Sequence, residues 1–306
     1  MIRLTNNFDN SLFIAGTVIT AGNFDGPHAG HMLLFEKTTA YAKENGLKSV
    51  FFSFRPHPAR VLRGENFRLI TTYEERAALI VETGVDFFVE YPFDRAFAET
   101  APGDFLDLLF GGLNCKCLIL GEDFRFGKNG SGRIEDFAGI AAARGVEIII
   151  VPHLTAPGGE KICSSAVRRF IAERNFAAAE EFLRRPYQIS GEVVRGKGRG
   201  AGLGFPSANI IPGEIKLLPP AGVYAALVLR GGAVYNGITN IGTNPTFGEN
   251  ETTVETFIFD FDRNIYGEEI TLRFVEFMRE EKRFASAAEL SEQLERDRET
   301  ARRILR

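Results

Sequence analysis

With 306 residues, 44% of them hydrophobic and 25% charged, the chain is long enough for two domains of ordinary size and has the balance of a globular protein, which excludes the disordered and fibrous classes. A formal net charge of -4 gives no bulk electrostatic attraction to nucleic acid or to an anionic membrane, so neither is an expected partner. Cys115, Cys117 and Cys163 form a sparse, odd set that suits a reducing compartment, and neither a secretory signal pattern nor a run of about eighteen apolar residues occurs, so the expected location is the cytoplasm.

The first apolar run, Leu12 to Ala21, reads as a strand. It leads through Thr20-Ala-Gly-Asn-Phe-Asp-Gly-Pro-His-Ala-Gly-His31 into a helix-patterned run, Met32 to Asn45. His28 and His31 stand three positions apart, so on the first turn of a helix both imidazoles face one way. The N–H groups and dipole of a helix start favour an anion there, and Gly30 leaves a phosphate room to approach the backbone. The same residues also read as an ordinary helix cap or as half of a metal site. The metal reading lacks completing ligands, since His57 and His153 are the remaining histidines and no cysteine is near.

Further strand-like runs are Lys48 to Phe54, Asp86 to Tyr91, Cys115 to Leu120 and Val146 to Val151, with helical stretches at Tyr73 to Gly84, Pro102 to Phe110 and Ile134 to Arg144. Apolar strands alternating with helices predict a parallel sheet covered on both faces, with ligands at the carboxyl ends of the strands. Cys115-Lys-Cys117 lies within one such strand and reads as packing rather than as a redox or metal pair. Lys161-Ile-Cys-Ser-Ser-Ala-Val-Arg168 precedes a helical run, Ala166 to Arg174. Ser164 and Ser165 there read as helix caps or, with Arg168 one turn on, as a second set of phosphate ligands.

The pattern changes near Leu183 to Pro186, giving expected domains 1–184 and 185–306. Strand candidates follow at Tyr187 to Arg195, Val223 to Leu229, Val234 to Ile241, Thr253 to Phe259 and Ile270 to Phe277, and they predict a small antiparallel barrel. A terminal helix, Ala285 to Leu305, has Ser286 as its cap and Leu290, Leu294, Ala301 and Leu305 near one face. Gly191-Glu-Val-Val-Arg-Gly-Lys-Gly198 nearly spells a P-loop, but Gly198 replaces the required hydroxyl and the segment lies among strands, so that reading fails. Gly196, Gly198, Gly200, Gly202 and Gly204 instead lead into Phe205-Pro-Ser-Ala-Asn209, which reads as a phosphate-covering loop or a plain flexible hairpin. Ser207 and Asn209 place a hydroxyl and an amide oxygen in that segment, and Glu255 is a lone carboxylate in an apolar strand.

Asn-Phe-Asp-Gly followed by His-x-Gly-His resembles the signature of the nucleotidylyltransferase superfamily. The whole chain, from about Val18 to Ala301, is similar to the prokaryotic bifunctional riboflavin kinase/FAD synthetase family. The matching segments are Gly22 to His31, Phe54 to Pro58, Gly121 to Gly127, Cys163 to Arg168 and Leu203 to Asn209. In the last two, Ser165 and Ser207 stand where the family carries Thr, and Cys163 and Val167 replace its Ser and Ile.

That resemblance implies a Rossmann-like nucleotidylyltransferase domain followed by a β-barrel riboflavin kinase domain with a terminal helix. It implies two reactions: ATP phosphorylates riboflavin to FMN, then ATP adenylylates FMN to FAD with release of pyrophosphate. His28 and His31 would stabilise the second transition state, with Asn23, Gly30, Ser164, Ser165 and Arg168 on ATP and Asp123 and Phe124 in the flavin or adenine pocket. Glu255 would be the general base of the first reaction, with Gly196 and Gly200 on ATP, Ser207 and Asn209 on Mg²⁺, and Arg279 and Phe284 on flavin or nucleotide. Two other readings stand beside it: a synthetase with an impaired kinase barrel, and a flavin-binding regulator without catalysis.

Overall fold

Strands rich in Val, Ile and Phe, buried on both sides, build the first half of the chain. The computed structural model describes residues 1–5, 9–196, 204–244 and 251–306, which divide into two units, Met1–Ser164 and Ser165–Arg306. In the first unit β1 (Ile2–Thr5), β2 (Thr17–Ala21), β3 (Lys48–Arg55), β4 (Phe87–Pro92), β5 (Cys115–Gly121) and β6 (Glu147–Val151) form a six-stranded sheet in the order β1-β4-β3-β2-β5-β6. Every pairing in it is parallel. One face packs Ile19, Phe52, Val89 and Leu118 against Phe105, Leu109 and Phe110, while the other carries Phe51 and Phe88 against Phe35 and Ile80. Residues buried on both sides are what a parallel sheet flanked by helices requires.

Between the strands run α1 (Ala29–Asn45), α2 (Pro58–Arg63), α3 (Tyr73–Val81), α4 (Arg95–Ala98), α5 (Pro102–Asp107) and α6 (Ile134–Ala143). Two differences from the sequence reading have local causes. The run from Leu12 is strand only from Thr17: the Asp9 carboxylate caps a 3-10 turn at Asn10–Phe13, and Gly16 at φ 82° turns the chain into β2. The stretch from Pro102 gives way after Asp107 to a π-type turn, Leu108–Gly112, which ends on a glycine pair. The edge strand β1 escaped the sequence reading because four alternating residues carry too little periodic signal.

The second unit opens with α7 (whose first residue, Ser164, closes the first unit; Ser164–Ala172) and α8 (Phe176–Leu183). It continues with β7 (Gln188–Val194), β8 (Ser207–Pro212), β9 (Gly222–Arg230), β10 (Ala233–Asn244), β11 (Glu251–Ile258) and β12 (Glu269–Arg279), which close into a barrel in the order β10-β11-β8-β7-β12-β9. The pairings are antiparallel, so full closure leaves no exposed edge. The expected barrel is thus present, with β8 as an added strand formed by the end of the Phe-Pro-Ser-Ala-Asn segment. Helix α9 (Ala287–Ile304) is capped by the Ser286 hydroxyl, which accepts from the Glu289 N–H, and it lays Ala301 on Val223, Ala225, Ile238 and Phe259.

Cys115 and Cys117 are buried in β5 as free thiols. Burial, aided by the Glu147 carboxylate, pushes the Cys117 thiol up to about 12, and burial raises Cys115 as well. Alkylation needs the thiolate. Iodoacetamide at pH 8 should therefore label Cys163 in the folded protein and reach Cys115 and Cys117 only after denaturation, read by peptide mass spectrometry. Rapid native labelling of either strand cysteine would contradict the packing role.

Candidate active sites

At the carboxyl end of β2 the chain turns through Gly22 to His28 into α1. His28 is the N-cap of that helix: its Nδ1 accepts the His31 N–H at 3.4 Å, so the neutral ring keeps its proton on Nε2. The two imidazoles stack with centroids 3.7 Å apart and planes at 21°, over Phe24, whose ring meets His31 edge-on at 5.3 Å. The cap reading is thus what the structure shows for His28. A Cβ on Gly30 would come within 3.2 Å of the His28 ring, so this glycine also makes room for the imidazole.

The same loop is anchored from two further segments. The buried Asp25 carboxylate accepts the N–H groups of Ile70 (2.9 Å) and Thr71 (3.4 Å). The Ser164 hydroxyl donates to the Asp25 carbonyl at 2.7 Å. Ser164 is the first residue of α7 rather than a cap two residues before it; Ser165 is exposed on that first turn and Arg168 half-buried one turn later. His57 caps α2 by accepting the Ala59 N–H at 3.0 Å, so the Phe-x-Pro-His-Pro segment is held as a helix start.

Beside this loop lies a cavity of about 490 Å³ whose wall includes Asn23, Asp123 and Phe124 with Phe54, Phe97 and Phe105. An aromatic chamber of that size with a few polar groups suits a flat heteroaromatic ring. Asp123 is ion-paired with Lys161. Burial pushes its carboxyl up, but the Lys161 ammonium outweighs this and holds it below the usual carboxylate range.

In the barrel, strand register assembles the second set. Asn209 on β8 is paired with Val194 on β7 and with Glu255 on β11, and Glu255 is paired in turn with Asn240 on β10. Paired residues share a face, and Ser207 shares it by the two-residue period. The alternate residues, Ala208, Ile210, Val254 and Thr256, are buried in the barrel, so the polar row lies on the outside. Gly196 lies against Asn209, where any Cβ would overlap the side-chain amide. A hydroxyl and an amide oxygen on one strand face fit a magnesium ion that takes its other ligands from phosphate and water. Among the described residues no cluster of three or more His, Cys, Asp or Glu offers a competing metal site.

Arg279 and Phe284 are placed differently from this row. The Arg279 guanidinium is bonded to the buried Asp297 carboxylate of α9, through Nε at 3.0 and 3.1 Å and through Nη2 at 2.6 Å. Phe284 is half-buried between β12 and α9. Gly200 lies outside the described residues. Sequence reasoning missed Asp297, and it missed Arg76 and Glu90 beneath the Asn23 loop. Only Glu90 carried a signal, a charge in an otherwise apolar strand run, Phe87-Phe-Val-Glu90; Arg76 follows two glutamates and Asp297 stands between two arginines, so neither is marked out in the sequence.

A parallel sheet with a histidine pair at a helix start, joined in one chain to a closed barrel with a polar row of Ser207, Asn209 and Glu255, is the arrangement of a two-domain nucleotide-dependent transferase. Family models agree on both parts: FAD synthetase matches residues 12–166 and riboflavin kinase matches residues 183–305. Bifunctional riboflavin kinase/FMN adenylyltransferases of Escherichia coli K12 and Listeria monocytogenes are 37% and 35% identical, over 94% and 93% of this chain and 92% and 91% of theirs. A solved structure described as a macrolide-efflux protein from Streptococcus pneumoniae is 29% identical with a TM-score of 0.88, covering 99% of both chains. Among the described residues of this chain, no helix is long and apolar enough to cross a membrane. The chain belongs to the bifunctional riboflavin kinase/FMN adenylyltransferase family. It phosphorylates riboflavin to FMN and adenylylates FMN to FAD, with ATP as the donor in both steps.

Because Gly196 abuts the Asn209 amide, Gly196→Ala should displace that side chain. Riboflavin phosphorylation is expected to fall by about tenfold or more, the scale of a small misplacement, with FMN adenylylation unchanged. Normal phosphorylation by this variant would show that the close approach is dispensable.

Proposed function

We propose that the two reactions divide between residues 1–184, the adenylyltransferase domain, and residues 185–306, the kinase domain. The observation that supports this is that Asn23, His28, His31 and Ser164 lie in the first unit and Ser207, Asn209 and Glu255 in the second; Ser165 and Arg168, on the helix that begins at Ser164, fall just past the unit boundary at 164/165 but before the proposed domain boundary.

In the kinase domain the Glu255 carboxylate takes the proton from the terminal ribityl hydroxyl as that oxygen attacks the γ-phosphorus of ATP. Ser207 and Asn209 would hold Mg²⁺ on the nucleotide; the ion neutralises phosphate charge when bound. Gly196 and Gly200 would serve ATP, Gly200 lying outside the described residues, and Arg279 and Phe284 would serve the flavin. Arg279 acts there through its bond to Asp297, which fixes the end of β12 against α9.

In the adenylyltransferase domain the FMN phosphate attacks the α-phosphorus of ATP and pyrophosphate leaves. Charge gathers on the non-bridging oxygens, where His28 and His31 donate, while Asn23, Gly30, Ser164, Ser165 and Arg168 orient the triphosphate. The aromatic cavity with Asp123 and Phe124 takes the isoalloxazine ring. No enzyme nucleophile is needed, and the work is expected to proceed in the cytoplasm.

Variant kinetics test the division. Glu255→Gln should lower FMN formation by about 10²–10⁴-fold, the usual worth of a general base, and leave FMN adenylylation intact. Replacing His28 and His31 together with Ala should lower adenylylation by about 10²-fold or more and leave phosphorylation intact. Chromatography of FMN and FAD reads both. If either change in a folded protein removed both activities, the division would be wrong.

A further inference from the structure

Under the Asn23 loop the structure buries a full charge that the chemistry above does not use. Arg76, on α3, is 2% exposed, and its carboxylate partner Glu90, on β4, is 1% exposed. Arg76 Nη2 bonds Glu90 Oε1 at 2.6 Å, and Arg3 on β1 bonds the other carboxylate oxygen at 2.6 Å. The other terminal N–H groups reach backbone and hydroxyl: Nη1 donates to the Asn23 carbonyl at 2.7 Å and to Ser53 Oγ at 3.0 Å, and Nη2 donates to the Phe54 carbonyl at 3.2 Å, while Nε is buried without a hydrogen-bond partner. Ser53 Oγ also donates to the Asn23 carbonyl, at 3.2 Å. One planar guanidinium therefore clamps the chain just past β2, at Asn23, to Ser53 and Phe54 near the end of the neighbouring strand β3, at the carboxyl edge of the sheet.

The clamped carbonyl belongs to the peptide that leads into Phe24, and Phe24 holds φ 49°, a left-handed conformation that a bulky side chain rarely adopts. Such strain persists only where the surroundings over-determine it. Phe24 is also the floor of the histidine stack, and Asn23 projects to the aromatic cavity. A buried ion pair is a poor stabiliser compared with apolar packing, so its presence here calls for another reason.

We infer that Arg76, charge-balanced by Glu90, is a positioning residue for adenylyl transfer: it fixes the Asn23–Phe24 peptide and the Phe54 carbonyl, and through them the aim of Asn23, His28 and His31. Lysine cannot replace it, because a single ammonium on a flexible stem does not span two carbonyls in fixed directions. The inference rests on the adenylyl-transfer reading of the histidine pair.

The full-length enzyme supplies its own control, because riboflavin phosphorylation reports on the intact chain independently. Arg76→Lys keeps the charge against Glu90, and the double variant Arg76→Met with Glu90→Gln removes both charges while leaving an acceptor for Arg3. Each should lower kcat for FMN adenylylation by about tenfold or more, with KM for ATP changed less than about threefold and phosphorylation unchanged. Thermal unfolding is measured in parallel. Adenylylation at the wild-type rate in either variant overturns the inference, and so does a loss that follows the unfolded fraction at the assay temperature. If replacing His28 and His31 leaves adenylylation untouched, the underlying site reading fails instead.

Discussion

The adenylyltransferase half depends on holding irregular backbone at the carboxyl edge of a parallel sheet, and the Arg76–Glu90 pair is the interaction that does so. Apolar packing fixes strands but is indifferent to the direction of a carbonyl, whereas a guanidinium has several donors in one plane. Here that plane is sandwiched near the Tyr73 and Phe88 rings, at 5.3 and 5.6 Å, so its own orientation is set before it sets that of the loop. Glu90 is what makes the burial tolerable, and Arg3 extends the network to the edge strand β1. From the clamped loop, cap and stacking then follow: Asp25 ties it to Ile70, Ser164 ties it to α7, and His28 closes the first turn of α1.

The barrel solves a different problem by a different means. Its polar row is placed by strand register, which fixes Asn209 opposite Glu255 without any buried charge. Period-two alternation puts the apolar partners inside and the chemical groups outside, so the site costs the core nothing. A one-residue slip would bury Glu255 and expose Val254, which makes the register of β8 and β11 as much a functional as a structural requirement.

Much of this was legible in the sequence. The alternation of apolar runs and helices gave the parallel sheet, the later run of short strands gave the barrel, and Ser286 marked the start of the terminal helix. His28, His31, Asn209 and Glu255 were visible because each sits in an informative local setting. The network under the loop was not, because Arg3, Arg76 and Glu90 are far apart in sequence and meet only in the folded sheet. Arg279 was legible as a charge in the segment that resembles the family's flavin side, yet its partner Asp297 stands in a run of charges, Glu295 to Glu299, that reads as the exposed side of the terminal helix. Strand β8 was hidden for a related reason: its motif residues read as a loop, and only pairing with β7 and β11 makes them strand.

On the proposed assignment both halves work by held position, and in the first half positioned donors would take the place of a covalent enzyme intermediate. Stereochemistry at phosphorus tests that directly. FAD made from FMN and ATP carrying a single sulfur of known configuration on the α-phosphorus should show inversion by ³¹P NMR, the outcome of one in-line displacement by the FMN phosphate. Retention would require two displacements and a nucleotidylated residue, and would contradict an adenylyl-transfer site that works by geometry alone.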